Sequence, residues 1–106
     1  MKYNKLVRDG IPVLIELDGK TCQWHRADSK EYTERLFEKM CEELIEFHDD
    51  PCVEEAADIY EVFAAMLKTC NIPWTEVINR ALNKREERGG FSEGIILTEV
   101  SDENTI

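Results

Sequence analysis

Apolar residues recur every three or four positions through the middle of the chain, a spacing that predicts amphipathic α-helices. The first helix is predicted from about Ser29 to His48, with Asp28 and Glu31 as a capping pair at its start. Its apolar stripe consists of Leu36, Met40, Leu44 and Phe47. Such a stripe lets the helix bury one face against a neighbour.

Proline and glycine positions divide the following segment into two more helices. Asp49-Asp50-Pro51 is predicted to end the first helix and to open a second one, which runs to about Thr69 with Pro51 in its first turn. Asn71-Ile72-Pro73 opens a third, which Gly89-Gly90 terminates. The predicted apolar faces are Ala56, Ile59, Phe63, Met66 and Cys70 on the second helix, and Trp74, Val77, Ile78, Ala81 and Leu82 on the third.

Shorter elements are predicted at both ends. Pro12 suits the first turn of a short helix that includes Val13, Leu14, Ile15 and Leu17. Residues 22–26 and 94–100 have strand character and are predicted to pair as a small antiparallel β-ribbon. The predicted fold is mainly α, an antiparallel helical bundle of three main helices plus a short N-terminal helix, with this ribbon. A length of 106 residues favours one domain over residues 1–106.

Composition narrows the possible partners and locations. An isoelectric point near 4.6 argues against binding to a nucleic-acid backbone or to an anionic membrane. The N-terminus lacks the apolar stretch of a signal peptide and no segment is long enough to span a bilayer, so the cytoplasm is the expected location. The four cysteines lack zinc-site spacing and are expected to be free thiols, with Cys41 and Cys70 buried.

The negative charge is concentrated in residues 31–61, where twelve carboxylates face only two basic side chains and so account for the net charge of −10. Within this segment, Glu43 and Glu46 are three residues apart on the first helix, and Glu55 and Asp58 are three apart on the second. Residues with that spacing share a helix face. Because the connection between the helices is short, an antiparallel hairpin would bring both pairs to the same level.

Four converging carboxylates are predicted to bind a hard divalent cation, Mg²⁺ or possibly Mn²⁺, as metal ligands. Since Mg²⁺ commonly binds carboxylates together with substrate phosphates, the predicted partner is a nucleotide polyphosphate. The alternative interpretation is that these acids are solvent-facing residues on ordinary surface helices. The scarcity of interleaved basic residues in the segment weighs against that alternative.

Basic residues near both ends are candidates for binding phosphate oxygens. The four substrate-binding candidates are Lys5, Arg8, Lys84 and Arg88. For Lys84 and its neighbour Arg85, an alternative is that they are cations favoured by the dipole at a helix C-terminus.

The order of three motifs resembles a known family. Residues 43–46 read E-L-I-E and residues 55–58 read E-A-A-D, and this E-x-x-E…E-x-x-D pattern resembles that of the all-α MazG-type nucleoside triphosphate pyrophosphohydrolases, which are similar to phosphoribosyl-ATP pyrophosphohydrolase. Residues 5–12 (K-L-V-R-D-G-I-P) resemble the N-terminal motif of one small branch of this family. Residues 84–91 (K-R-E-E-R-G-G-F) resemble the C-terminal motif of the same branch. The resemblance implies Mg²⁺-dependent cleavage between the α and β phosphates, with the four acids as metal ligands and a homodimer or homotetramer as the assembly.

The sequence therefore predicts a Mg²⁺-dependent pyrophosphohydrolase that converts a (d)NTP or related nucleotide to a monophosphate and pyrophosphate. Glu43 and Glu46 are the predicted catalytic carboxylates, with Glu46 as the candidate acceptor of the water proton. One alternative is phosphoribosyl-ATP hydrolysis in histidine biosynthesis. Another is a catalytically silent acidic helical module that binds a basic protein.

Overall fold

The computed structural model describes residues 3–101 and contains four α-helices in that range. They are α1 (Ile11–Leu17), α2 (Ser29–Asp49), α3 (Val53–Thr69) and α4 (Trp74–Arg88). The prediction of a mainly helical chain is confirmed. None of the helices within residues 3–101 combines the length and apolar composition that crossing a bilayer requires.

The helix boundaries follow from local capping. The Asp28 side chain accepts a hydrogen bond of 2.8 Å from the backbone N–H of Glu31, which fixes the start of α2 where the sequence predicts it. At α3 the prediction was wrong in one detail, because Pro51 precedes the helix instead of lying in its first turn. The reason is that Cys52 is extended, with φ −156° and ψ 168°, and serves as the N-cap residue.

Helices α2 and α3 form an antiparallel hairpin. Only residues 50–52 connect them, and the two helices pack against each other along their lengths. Glu43 near the end of α2 meets Asp58 near the start of α3, whereas Leu36 and Ala65, further from the turn, line one cavity. The buried apolar side chains in the described range are Leu36 and Leu67, one on each helix.

The predicted apolar faces are only partly buried. Leu44 is 50 % exposed and Phe63 is 36 % exposed, although both belong to predicted stripes. The four cysteines are free thiols, but the expectation that Cys41 and Cys70 are buried was wrong, since both are exposed. The physical reason is that each helix of the hairpin has one packed neighbour, so an apolar stripe wider than that contact remains on the surface.

The predicted β-ribbon is not formed within residues 3–101. Neither residues 22–26 nor residues 94–100 contain a strand, and Ile95 and Ile96 are mostly exposed. A two-stranded ribbon is marginal in water unless its apolar face packs against another element. Strand-like composition therefore did not suffice to specify a ribbon here.

The chain separates into two compact units, with the boundary between Trp74 and Thr75. The first unit contains α1, α2 and α3, and Trp74 closes it by stacking on Tyr60 at a ring distance of 5.1 Å. The second contains the remainder of α4 and the segment after it, up to residue 101 of the described range. The prediction of one domain over residues 1–106 stays a prediction.

Candidate metal centre

Glu43 is the common member of two groups of carboxylates. One group consists of Glu42, Glu43 and Glu46 on α2, and the other combines Glu43 with Glu55 and Asp58 on α3. In each group one carboxylate oxygen per residue lies within 4.8 Å of the others. The structure thus places each of the other three predicted metal ligands, Glu46, Glu55 and Asp58, in a group with Glu43, while Glu46 is in a different group from Glu55 and Asp58.

Glu43 is unusual because it is charged and buried. It is only 4 % exposed, and among residues 3–101 it is the one polar or charged residue that is buried. Its Oε1 lies 3.3 Å from Nζ of Lys39, one turn earlier on α2, while its Oε2 has no hydrogen-bond partner among residues 3–101. Oε2 of Glu55 is also buried without a partner there. Buried, unpaired carboxylate oxygens are costly unless a cation or donor satisfies them.

The electrostatic surroundings of Glu43 and Glu42 differ sharply. Burial raises the pKa of Glu43 above its ordinary value; the hydrogen bond from Lys39 opposes this, and the negative charges of Glu46 and Asp58 add to it. The hydrogen bond from Lys5 lowers the pKa of Glu42. Lys5 therefore stabilises the ionised form of Glu42, whereas burial destabilises the ionised form of Glu43.

Two of the predicted phosphate-binding residues instead contact the acidic centre. Arg8 donates a hydrogen bond of 2.7 Å from Nη2 to Oδ1 of Asp58, and Lys5 donates one of 2.9 Å from Nζ to Oε1 of Glu42. These contacts join the N-terminal segment to both helices of the hairpin. The binding of phosphate by Lys5 and Arg8 stays a prediction.

The other two predicted phosphate-binding residues, Lys84 and Arg88, lie exposed on α4 within the second unit. The helix ends at Arg88 and is followed by Gly89, whose φ of +84° is the left-handed conformation common at helix C-termini. This local geometry agrees with the helix-terminus interpretation of the basic cluster. Their role in phosphate binding stays a prediction.

A cavity of about 280 Å³ is lined by two of the predicted metal ligands, Glu43 and Asp58, whereas Glu46 and Glu55 are not among its lining residues. The N-terminal segment forms one wall and the hairpin forms the others. Charged side chains that line it are Arg8, Asp9, Lys39, Glu43, Asp58 and Glu61. Its volume is close to the lower end of small-ligand sites, which begin at about 300 Å³. A polyphosphate group could enter beside the carboxylates.

Sequence reasoning missed two members of this centre, Glu42 and Lys39. Lys39 contacts Glu42 and Glu43 at 3.4 Å and 3.3 Å, which are three and four residues further along α2. That spacing is visible in the sequence and is typical of ion pairs on one helix face. Glu42 is one of the twelve acids of residues 31–61, but the sequence predicts no individual role for it.

Comparison of the chain with protein-family models, with curated proteins and with solved structures gives no match. The family resemblance therefore depends on the three sequence motifs.

Proposed function

We propose that the chain is a Mg²⁺-dependent nucleotide pyrophosphohydrolase that cleaves a (d)NTP or related nucleotide between its α and β phosphates. Mg²⁺, or Mn²⁺ in its place, would be held by Glu43, Glu46, Glu55 and Asp58. The nucleotide phosphates would occupy the cavity that Glu43 and Asp58 line. The sequence motifs suggested this activity, and the geometry of the acidic centre supports the divalent-cation binding that it requires.

One observation carries the proposal, namely the pair of buried and unpaired carboxylate oxygens on Glu43 and Glu55. The five carboxylates of the two acidic groups are balanced by only three basic side chains, Lys5, Arg8 and Lys39. With all five ionised, two negative charges remain, which is the charge that one divalent cation compensates. Oxygen-only donors favour Mg²⁺ and Mn²⁺ over zinc.

When bound, Mg²⁺ would supply charge neutralisation for the polyphosphate and would lower the pKa of a coordinated water. The chain's own residues provide the positioning. Lys39 contacts Oε1 of Glu43 and leaves the buried Oε2 without a hydrogen-bond partner among residues 3–101. Burial of Glu43 keeps bulk water from that oxygen, which strengthens its interaction with a cation.

Glu46 is the proposed proton acceptor for the attacking water. It is the exposed member of its group, so a proton that it accepts can pass directly to solvent. Glu43 is less suitable because Lys39 engages one of its oxygens and the other is buried away from solvent. Both remain proposed catalytic carboxylates, one through metal binding and one through proton transfer.

We further propose that two or four copies of the chain assemble, with the hairpin contributing to an antiparallel helical bundle. On α2, Phe37, Leu44 and Ile45 are at least half exposed, a surface that a second copy would cover. Light scattering during gel filtration should give two or four times the chain mass of 12.3 kDa. A 12.3 kDa species at micromolar concentration would contradict this assembly.

The activity is tested by following pyrophosphate release from a panel of NTPs, dNTPs and phosphoribosyl-ATP, with Mg²⁺ and with EDTA. We expect release from at least one NTP or dNTP with Mg²⁺ and none with EDTA, because the carboxylates alone repel the polyphosphate. Turnover of phosphoribosyl-ATP alone would favour the alternative function in histidine biosynthesis. No turnover of any member would favour a non-catalytic acidic module.

The expected location remains the cytoplasm, with neither nucleic acid nor membrane as a partner.

A further inference from the structure

The N-terminal segment is tied to the acidic centre through a residue that the centre needs for metal binding. Arg8 donates to Oδ1 of Asp58 at 2.7 Å, and Asp58 belongs to the group with the two unpaired oxygens. Glu61 and Glu43 add negative charge around the same guanidinium. Arg8 therefore acts as a cation at the edge of the site, in the place where a metal ligand offers its oxygen.

We propose that Asp58 exchanges Arg8 for a divalent cation, and that the released guanidinium of Arg8 then binds a phosphate group of the substrate. The inference rests on the proposed function. It adds that Arg8 competes with the metal when phosphate is absent and supports the metal–phosphate complex when phosphate is present.

The exchange requires only a small rearrangement of the chain. The side chain of Arg8 is 55 % exposed, so it can turn without opening the interior, and ion pairs this exposed contribute little stability. The backbone stays anchored, because the carbonyl of Arg8 accepts a 3.0 Å hydrogen bond from the N–H of Ile11 at the start of α1. The movement is thus confined to the side chain.

The cavity provides the destination for the released group. Arg8 and Asp58 both line the 280 Å³ cavity, so a guanidinium that leaves Asp58 remains at its wall. A guanidinium offers paired N–H donors that match two phosphate oxygens, which a lysine cannot do. A bound divalent cation also repels a guanidinium on the same carboxylate, which favours the phosphate as its new partner.

The test compares Arg8→Gln with Arg35→Gln. Arg35 lies on α2 and pairs with Glu38 at 3.0 Å and with Glu31 at 3.8 Å, so its replacement changes the net charge equally without touching the acidic centre. Binding of Mn²⁺ alone is measured by electron paramagnetic resonance. Binding of inorganic pyrophosphate is measured by calorimetry at saturating Mn²⁺.

We expect Arg8→Gln to bind Mn²⁺ alone about threefold more tightly than wild type, and to bind pyrophosphate about tenfold more weakly at saturating Mn²⁺. Arg35→Gln should change both affinities by less than about twofold. Arg8→Lys, which retains the charge but not the paired donors, should leave Mn²⁺ affinity near that of wild type and still lose pyrophosphate affinity. This second variant keeps the test decisive if Arg8→Gln folds poorly.

Changes of the same sign in the two affinities, or an unchanged Mn²⁺ affinity in Arg8→Gln, would overturn the exchange. The proposed function fails separately, and the exchange with it, if wild type binds no Mn²⁺ or if Glu55→Gln binds it as well as wild type does. If Glu55→Gln loses Mn²⁺ binding but Arg8→Gln does not show opposite changes in Mn²⁺ and pyrophosphate affinity, the metal site is supported and only the exchange is rejected.

Discussion

Replacement of Glu43 by glutamine is expected to reduce Mg²⁺-dependent pyrophosphate release by about 10³-fold, equivalent to roughly 4 kcal/mol of transition-state stabilisation. Glu43 belongs to both acidic groups, and its unpaired Oε2 is buried. Glutamine has nearly the same shape but no negative charge, so the variant removes the charge and preserves the packing. Asp58→Asn is expected to act in the same direction. Initial rates of pyrophosphate release at saturating Mg²⁺ measure both effects.

The matched control is Glu34→Gln, an exposed acid on the same helix outside both acidic groups. It changes the net charge by the same amount and should retain activity within about twofold of wild type, as expected for a solvated surface residue. If Glu43→Gln retained full Mg²⁺-dependent activity while remaining folded, the assignment of the acidic centre as a catalytic metal site would be wrong.

Mg²⁺ is expected to stabilise wild type against unfolding by about 2.7 kcal/mol at a concentration of one hundred times its Kd, because it binds the folded chain only. Glu55→Gln and Glu43→Gln should lose most of this gain, since each removes a ligand with an unpaired buried oxygen. Urea unfolding with and without Mg²⁺ measures the difference. A gain in either variant equal to that of wild type would place the bound metal elsewhere.

Without metal, Glu43→Gln should have a higher free energy of unfolding than wild type. The raised pKa of Glu43 means that the folded chain retains a proton at pH values where the unfolded chain has lost it. The contribution of this proton is present below the unfolded pKa and is lost as the pH rises through the folded pKa. In EDTA, Glu43→Gln should therefore exceed wild type by about 1 kcal/mol at neutral pH, and the difference should shrink on acidification. A difference that grows on acidification would contradict this.

The acidic centre was largely predictable because its geometry is local. Helical periodicity fixes the i, i+3 carboxylate pairs, and a short connection forces the two helices to run antiparallel, so Glu43 and Asp58 meet. Lys39 could have been found by the same spacing rule. The ion pair between Arg8 and Asp58 could not, because it joins residues fifty positions apart through a segment without helical periodicity.

Burial was predicted less well than secondary structure. An apolar stripe shows that a helix face avoids water, but it does not say which element covers that face. Leu36 is buried, whereas Leu44 on the same predicted stripe is half exposed. The ribbon failed for a related reason, since strand propensity in residues 94–100 supplies no pairing partner.

The three-residue link between α2 and α3 also has a consequence for the order in which the chain folds. The segment from Glu43 to Asp58 contains all four proposed ligands, and closing so short a loop costs little chain entropy. Contacts that are close in sequence form early and quickly. We therefore expect the carboxylates to come together when the helical hairpin forms, before the N-terminal segment docks, so that a cation could bind the nascent hairpin as well as the complete site.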